Sequence, residues 1–151
     1  MDGTAKPTGA KAPERNPDGT GTAAAESVST GPGRGLVSVY AFFSLAAGAR
    51  AGWQLVTRFA EAPVAYSLSA FAALVYIILT VALLRGARRT ALVACLIELT
   101  GVLVVGTFSL FVPEAFPRAT VWSTYGSGYL FIPLVLPVLG LYWLLRNRAA
   151  R

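Results

Sequence analysis

The chain has 151 residues, 55% of them hydrophobic and 13% charged, with a net charge of +6; a soluble domain carries about 25% charged residues. It holds no histidine, a single cysteine (Cys95) and seven acidic residues spread along its length, which removes the usual routes to a protein-built zinc, iron or copper site and to an internal disulfide, and no cofactor is expected. The basic residues stand beside the ends of apolar runs instead of interleaving with aromatics, so no nucleic-acid face is expected either.

Residues 1–35 are rich in Gly, Pro, Ala, Thr and Ser, with four acidic and four basic residues and Val28 as the only bulky aliphatic. Such a segment buries too little apolar surface to offset its ordering entropy, and it is expected to be a disordered tail. Four apolar runs follow, at 36–57, 63–84, 90–112 and 126–145, and a short basic C-terminus closes the chain at 146–151. Each run is near the ~20 residues that a helix needs to cross ~30 Å of hydrocarbon. The runs are too long and continuous for barrel strands, so the expected fold is all-α: a transmembrane four-helix bundle in a lipid bilayer.

Arginine sets the expected orientation. Arg34, the Arg85–Arg88–Arg89 loop and the Arg146–Arg148–Arg151 tail fall on one side, whereas Arg58 and Arg118 fall on the other, near Glu61 and Glu114. The positive-inside rule then places both termini in the cytoplasm. Trp53, Trp122, Tyr125 and Tyr129 would form an outer aromatic belt, and Tyr142 with Trp143 an inner one. An alternative for the first run is a signal peptide cleaved at Ala47-Gly48-Ala49, which would leave three helices.

On a helical projection of the first run, Phe43, Ala47, Arg50, Gln54 and Thr57 share a stripe, with Gly48 and Gly52 opposite in a small-x-x-x-small spacing. Packing within the bundle is the first reading of those glycines, and homodimerisation the second. The second run aligns Tyr66, Ser69, Ala70, Ala73, Ile77 and Thr80, with Tyr76 at the edge. The third aligns Ala91, Ala94, Cys95, Glu98, Gly101, Val102, Val105 and Ser109, so that Glu98 faces protein and Cys95 is a small buried hydrophobe. In the fourth, Tyr129, Pro133, Leu136, Gly140 and Trp143 align, and Pro133 and Pro137 should bend the helix.

Arg50 and Glu98 are the ionisable groups deep in these runs, where an Arg costs ~2.5–3.5 kcal/mol even on a gentle insertion scale. Helix rise puts Arg50 about 21 Å and Glu98 about 12 Å from the cytoplasmic side. Arg50 therefore either turns outward to Glu61 or Glu114, or leans toward Glu98 in a buried pair. Tyr76, at a similar depth, is a candidate hydrogen-bond partner for Glu98. A pathway through Arg50, Gln54 and Glu98 is the third reading.

The segments 47–76 (AGARAGWQLVTRFAEAPVAYSLSAFAALVY), 97–110 (IELTGVLVVGTFSL) and 116–145 (FPRATVWSTYGSGYLFIPLVLPVLGLYWLL) resemble a group of small actinobacterial integral membrane proteins. The resemblance spans about 36–145 and implies a bacterial inner-membrane setting, with no catalytic residues to carry over. Small multidrug transporters place an essential carboxylate in the first helix; here that helix bears Arg50 and the acid is in the third.

Three functions follow. The first is a non-enzymatic accessory, scaffold or sensor subunit acting through helix contacts, with a homodimer or another membrane protein as partner. The second is a small transporter or channel using Arg50, Gln54 and Glu98. The third, a lipid or quinone enzyme, lacks any Ser/His, Cys/His or metal set and ranks last. The outer loop 113–125, with Trp122 and Tyr125, is the candidate exposed contact.

Overall fold

The computed structural model describes residues 31–146, and these are helical with no strand. The expected disordered tail up to residue 30 and the basic residues beyond Arg146 lie outside the described residues. Four helices carry the fold: α1 (Pro32–Thr57), α2 (Pro63–Leu84), α3 (Arg88–Phe111) and α4 (Ile132–Arg146). The connections are 58–62, 85–87 and the long 112–131, with short 3₁₀ turns at Phe59–Glu61, Pro113–Ala115 and Ser123–Tyr129. We call the end bearing the 85–87 connection the near end, and the end bearing the other two the far end.

α1, α2 and α3 are each long and apolar enough to cross a membrane. α4 reaches that length only together with the Ser123–Tyr129 turns, from which it is bent by 99°. The described residues thus hold three helices able to span a membrane, or four if the bent pair is one span. The outer surface agrees, because Phe42, Leu45, Val56, Leu74, Val93, Val104 and Leu139 all stand exposed; contiguous apolar surface of that extent is foreign to a soluble monomer.

α1 begins four residues before the expected Leu36. Gly31 takes φ 95° ahead of the first turn, and Pro32, whose ring fixes a helical φ and whose missing N–H is not needed there, opens the helix. α2 closes at the near end with a Schellman arrangement: Ala87 N–H donates to Ala82 C=O at 2.8 Å and Gly86 N–H to Leu83 C=O at 3.2 Å. That arrangement needs the left-handed φ of 65° that Gly86 supplies. Arg88 then donates to the Leu144 carbonyl, a cation at the C-terminal, negative end of α4.

The fourth run departs most from expectation. A helix over 126–145 is expected, with its bend at the prolines. Instead the break falls at Leu130 and Phe131, both left-handed (φ 56° and 58°), and α4 starts only at Ile132. Pro133 lies in the first turn, where a missing N–H costs nothing, so Pro137 alone is interior.

Consecutive helices pack closely, whereas α1 and α4 scarcely meet. Small buried residues, Ala47 and Ala51 on α1 with Ala72 and Ala73 on α2, bring the first two helices together. Ser44 Oγ and Thr80 Oγ1 lie 2.8 Å apart across that interface, and each is also 2.8 Å from its own i−4 carbonyl. With one proton each, only two of those three contacts are hydrogen bonds at once. Gly48 and Gly52 do not do the expected packing: a Cβ on either would meet nothing within 4 Å. On α2 the buried face centres on Tyr76, and Ile77, expected on it, is exposed.

Candidate functional site

Among the described residues, the interior of the bundle holds one carboxylate. Glu98 is 0% exposed, on the α3 face formed by Ala91, Ala94, Cys95, Val102 and Val105. Its partner comes from α1: Tyr40, equally buried, donates its hydroxyl to Glu98 Oε2 at 3.1 Å. Tyr76 of α2 lies beside the same carboxyl and beside Trp122, and its ring centroid is 6.3 Å from that of Tyr40. Three helices and one loop therefore each contribute a polar aromatic or acidic group to one buried cluster.

Three atoms of this cluster have no hydrogen-bond partner: Glu98 Oε1, Tyr76 Oη and Trp122 Nε1. An unmet buried polar group costs about 1–3 kcal/mol, so three together are a substantial liability. Their chemistry is complementary, since the indole only donates, the carboxylate oxygen accepts and the phenol does both. The cluster is polar enough to bind or relay a proton or a small polar group, and apolar walls close it in.

Glycines permit the close approach. A Cβ at Gly101, one turn from Glu98, would lie 2.6 Å from the Trp122 ring. A Cβ at Gly140 would lie 2.9 Å from Cys95 Sγ and 3.3 Å from Tyr40 Oη. Gly101, expected at a helix-packing face, instead lies against the ring of a loop tryptophan. Cys95 is buried in the core, as expected.

Trp122 is the largest correction to the sequence reading. Expected at the outer boundary as an exposed contact, it is only 2% exposed and packs edge-on against Phe71 with centroids 6.0 Å apart. The loop is folded inward by its own polar residues. Thr120 Oγ1 accepts from the Trp122 and Ser123 N–H groups at 3.1 and 2.9 Å, and Ser123 Oγ accepts from Thr120 N–H at 2.9 Å. Ser109 of α3 accepts from Thr124 N–H at 2.7 Å. Tyr125, half-buried, lies against Gly106 and is 3.0 Å from the Thr107 hydroxyl. Seating the loop this way holds Thr124 and Tyr125 at φ 51° and 58°, a left-handed conformation costing roughly 1–2 kcal/mol per residue. The Thr-x-x-Ser spacing at 120–123 is the one sequence signal for this tuck.

Arg50 and Glu98 do not pair. The α1 residue that reaches Glu98 is Tyr40, and Arg50 lies ten residues further along, about 15 Å at helical rise. The early start of α1 accounts for part of the misjudged depth. Arg50 turns outward, as one reading had it, but to neither Glu61 nor Glu114: it donates to the Tyr129 hydroxyl, with its guanidinium carbon 5.6 Å from that ring centroid. Glu61 is held instead by Arg118 at 3.3 Å. Gln54 lines a far-end cleft with Arg50, away from Glu98. Among the described residues no three His, Cys, Asp or Glu side chains come together. No protein-family model, curated protein or solved structure matches this chain.

Proposed function

We propose that this chain is a non-enzymatic accessory subunit of a bacterial cytoplasmic membrane, acting through contact with a helix of another membrane protein. Both termini then lie in the cytoplasm, because the near end carries Arg85, Arg88, Arg89 and Arg146. The observation that carries the proposal is the exposure of α1. It is the least apolar of the three long helices, yet only 22% of its span is buried, against 50% for α2 and 39% for α3. A helix of that composition belongs in protein contact. Beside it, an apolar groove of about 870 Å³ runs between α1 and α4, walled by Leu36, Val39, Val135, Leu139 and Trp143.

A transmembrane helix of a different protein fits this groove better than a second copy does. A two-fold dimer sets the same patch against itself, and two grooves facing each other leave both unfilled. A photoreactive side chain at Val135, with Val39→Trp as the groove-filling variant, tests the proposal in native membranes. The expected result is a crosslink to a transmembrane segment of one other protein, abolished by Val39→Trp. Crosslinks to lipid alone, or to a second copy, overturn it.

One arrangement favours transport as the second reading. The rings of Tyr129, Phe43 and Tyr76 form a line, with Phe43 6.2 Å from each neighbour. That line joins Arg50 to Glu98, and Phe43 is its apolar plug. Solute or ion flux in proteoliposomes that Glu98→Gln leaves unchanged would remove this reading.

A further inference from the structure

We propose that the far-end cleft binds a phosphoryl anion, presented by a lipid headgroup or free in solution. The cleft has a volume of about 380 Å³ and is lined by Arg50, Arg58 and Arg118 together with Gln54, Tyr66 and Trp53. It is remote from the helix-binding groove and independent of it. The three guanidiniums come from separate places: the body of α1, the residue that caps it, and the 112–131 loop. Three cations lining one cleft repel one another, and an anion bound there relieves that repulsion. Among the described residues, the one ion pair at this end is Arg118 with Glu61, whose carboxylate also accepts from the Tyr66 hydroxyl at 3.4 Å. Arg50 and Arg58 have no carboxylate partner among those residues, so three cations face one acid.

The geometry of the donors selects the anion. Each guanidinium is a planar fork that grips two oxygens. Three such forks lining one cleft suit the several oxygens of a tetrahedral phosphoryl group, whereas a single carboxylate offers only two. The volume leaves room for whatever the phosphoryl group is attached to. Depth agrees: Arg58 caps α1, Arg50 lies about 12 Å deeper at helical rise, and Trp53, 67% exposed, stands beside them at the headgroup level that tryptophan prefers.

The test uses the full chain in a maltoside detergent, which carries no phosphate, with thermal midpoint and tryptophan fluorescence as readouts. Inorganic phosphate, phosphatidylglycerol and diacylglycerol are titrated separately. A saturable response to inorganic phosphate supports a soluble ligand, and a response to phosphatidylglycerol but not diacylglycerol supports a headgroup. In either case Arg58→Gln should weaken apparent affinity at least tenfold and Arg58→Lys by less. Arg89→Gln, at the opposite end, should leave it unchanged. Arg58 is exposed and makes no side-chain contact that the fold needs, so its variants keep the experiment readable even where Arg118→Gln unfolds. Silence toward both phosphate and phosphatidylglycerol overturns the proposal, as does equal weakening by Arg89→Gln.

Discussion

Glu98 and Arg50 are both charged residues in apolar helices, and the fold treats them oppositely. Glu98 is sealed from every side and served by a tyrosine hydroxyl. Arg50 stays exposed, laid along the face of Tyr129 at the mouth of a cleft. The difference lies in what each group demands. A carboxyl needs only a few neutral donors: Tyr40 supplies one, and Tyr76 lies beside the same carboxyl. A guanidinium has five N–H donors and cannot be neutralised, so no interior built from phenols and aliphatics accommodates it. The acid is therefore part of the core, and the base is part of a surface.

If Glu98 is core, the group that closes over it should matter most. Trp122→Ala removes a fully enclosed ring from between Gly101 and Phe71, and it should cost about 3–5 kcal/mol in reversible unfolding from detergent, the range for large aromatic truncations. Trp122→Phe keeps an aromatic ring but loses the outer six-membered ring of the indole that lies on Gly101, so it should cost less than Trp122→Ala while still destabilising measurably. A Trp122→Ala protein as stable as the parent would mean that the loop is not seated on α3. Next in size is Glu98→Ala, which strands the Tyr40 hydroxyl and opens a cavity. It should cost about 2–3 kcal/mol. Glu98→Gln still accepts from Tyr40 and should stay within about 1 kcal/mol. A Gln variant as damaged as the Ala variant would show that charge, not hydrogen bonding, holds the cluster.

The same contrast explains what was legible in the sequence. Periodicity placed Glu98 on an interior face because α3 shows clear small-residue stripes, and helix ends came within a few residues wherever proline or glycine marks them. Tyr40 was missed as the partner because the start of α1 was set at Leu36. The register between two helices cannot be read from either one alone, and four residues shift it by about 6 Å. The inward tuck of Trp122 was invisible for another reason. A tryptophan after a proline-containing loop reads as an interfacial anchor, and its burial depends on Gly101, twenty-one residues earlier, leaving a ring-sized space. The break at Leu130–Phe131 carries no glycine or proline at the left-handed positions themselves. Gly48 and Gly52 have a sequence pattern with no tertiary counterpart among the described residues.

The smallest effect expected is at Arg50. Its contacts are one hydroxyl and one ring face in an exposed setting, where a cation–π contact is worth about 0.5–1 kcal/mol. Arg50→Leu should therefore change stability by no more than about 1 kcal/mol, and Tyr129→Leu in the Arg50→Leu background should add little more through this contact, because the pair is already broken. A double-mutant cycle over these two positions isolates that coupling. A coupling energy several times larger, or a loss at Arg50→Leu that Glu98→Gln relieves, would show that Arg50 is tied to the interior after all. The separation of an acid that builds the core from a base that serves the surface would then fail at its weaker end.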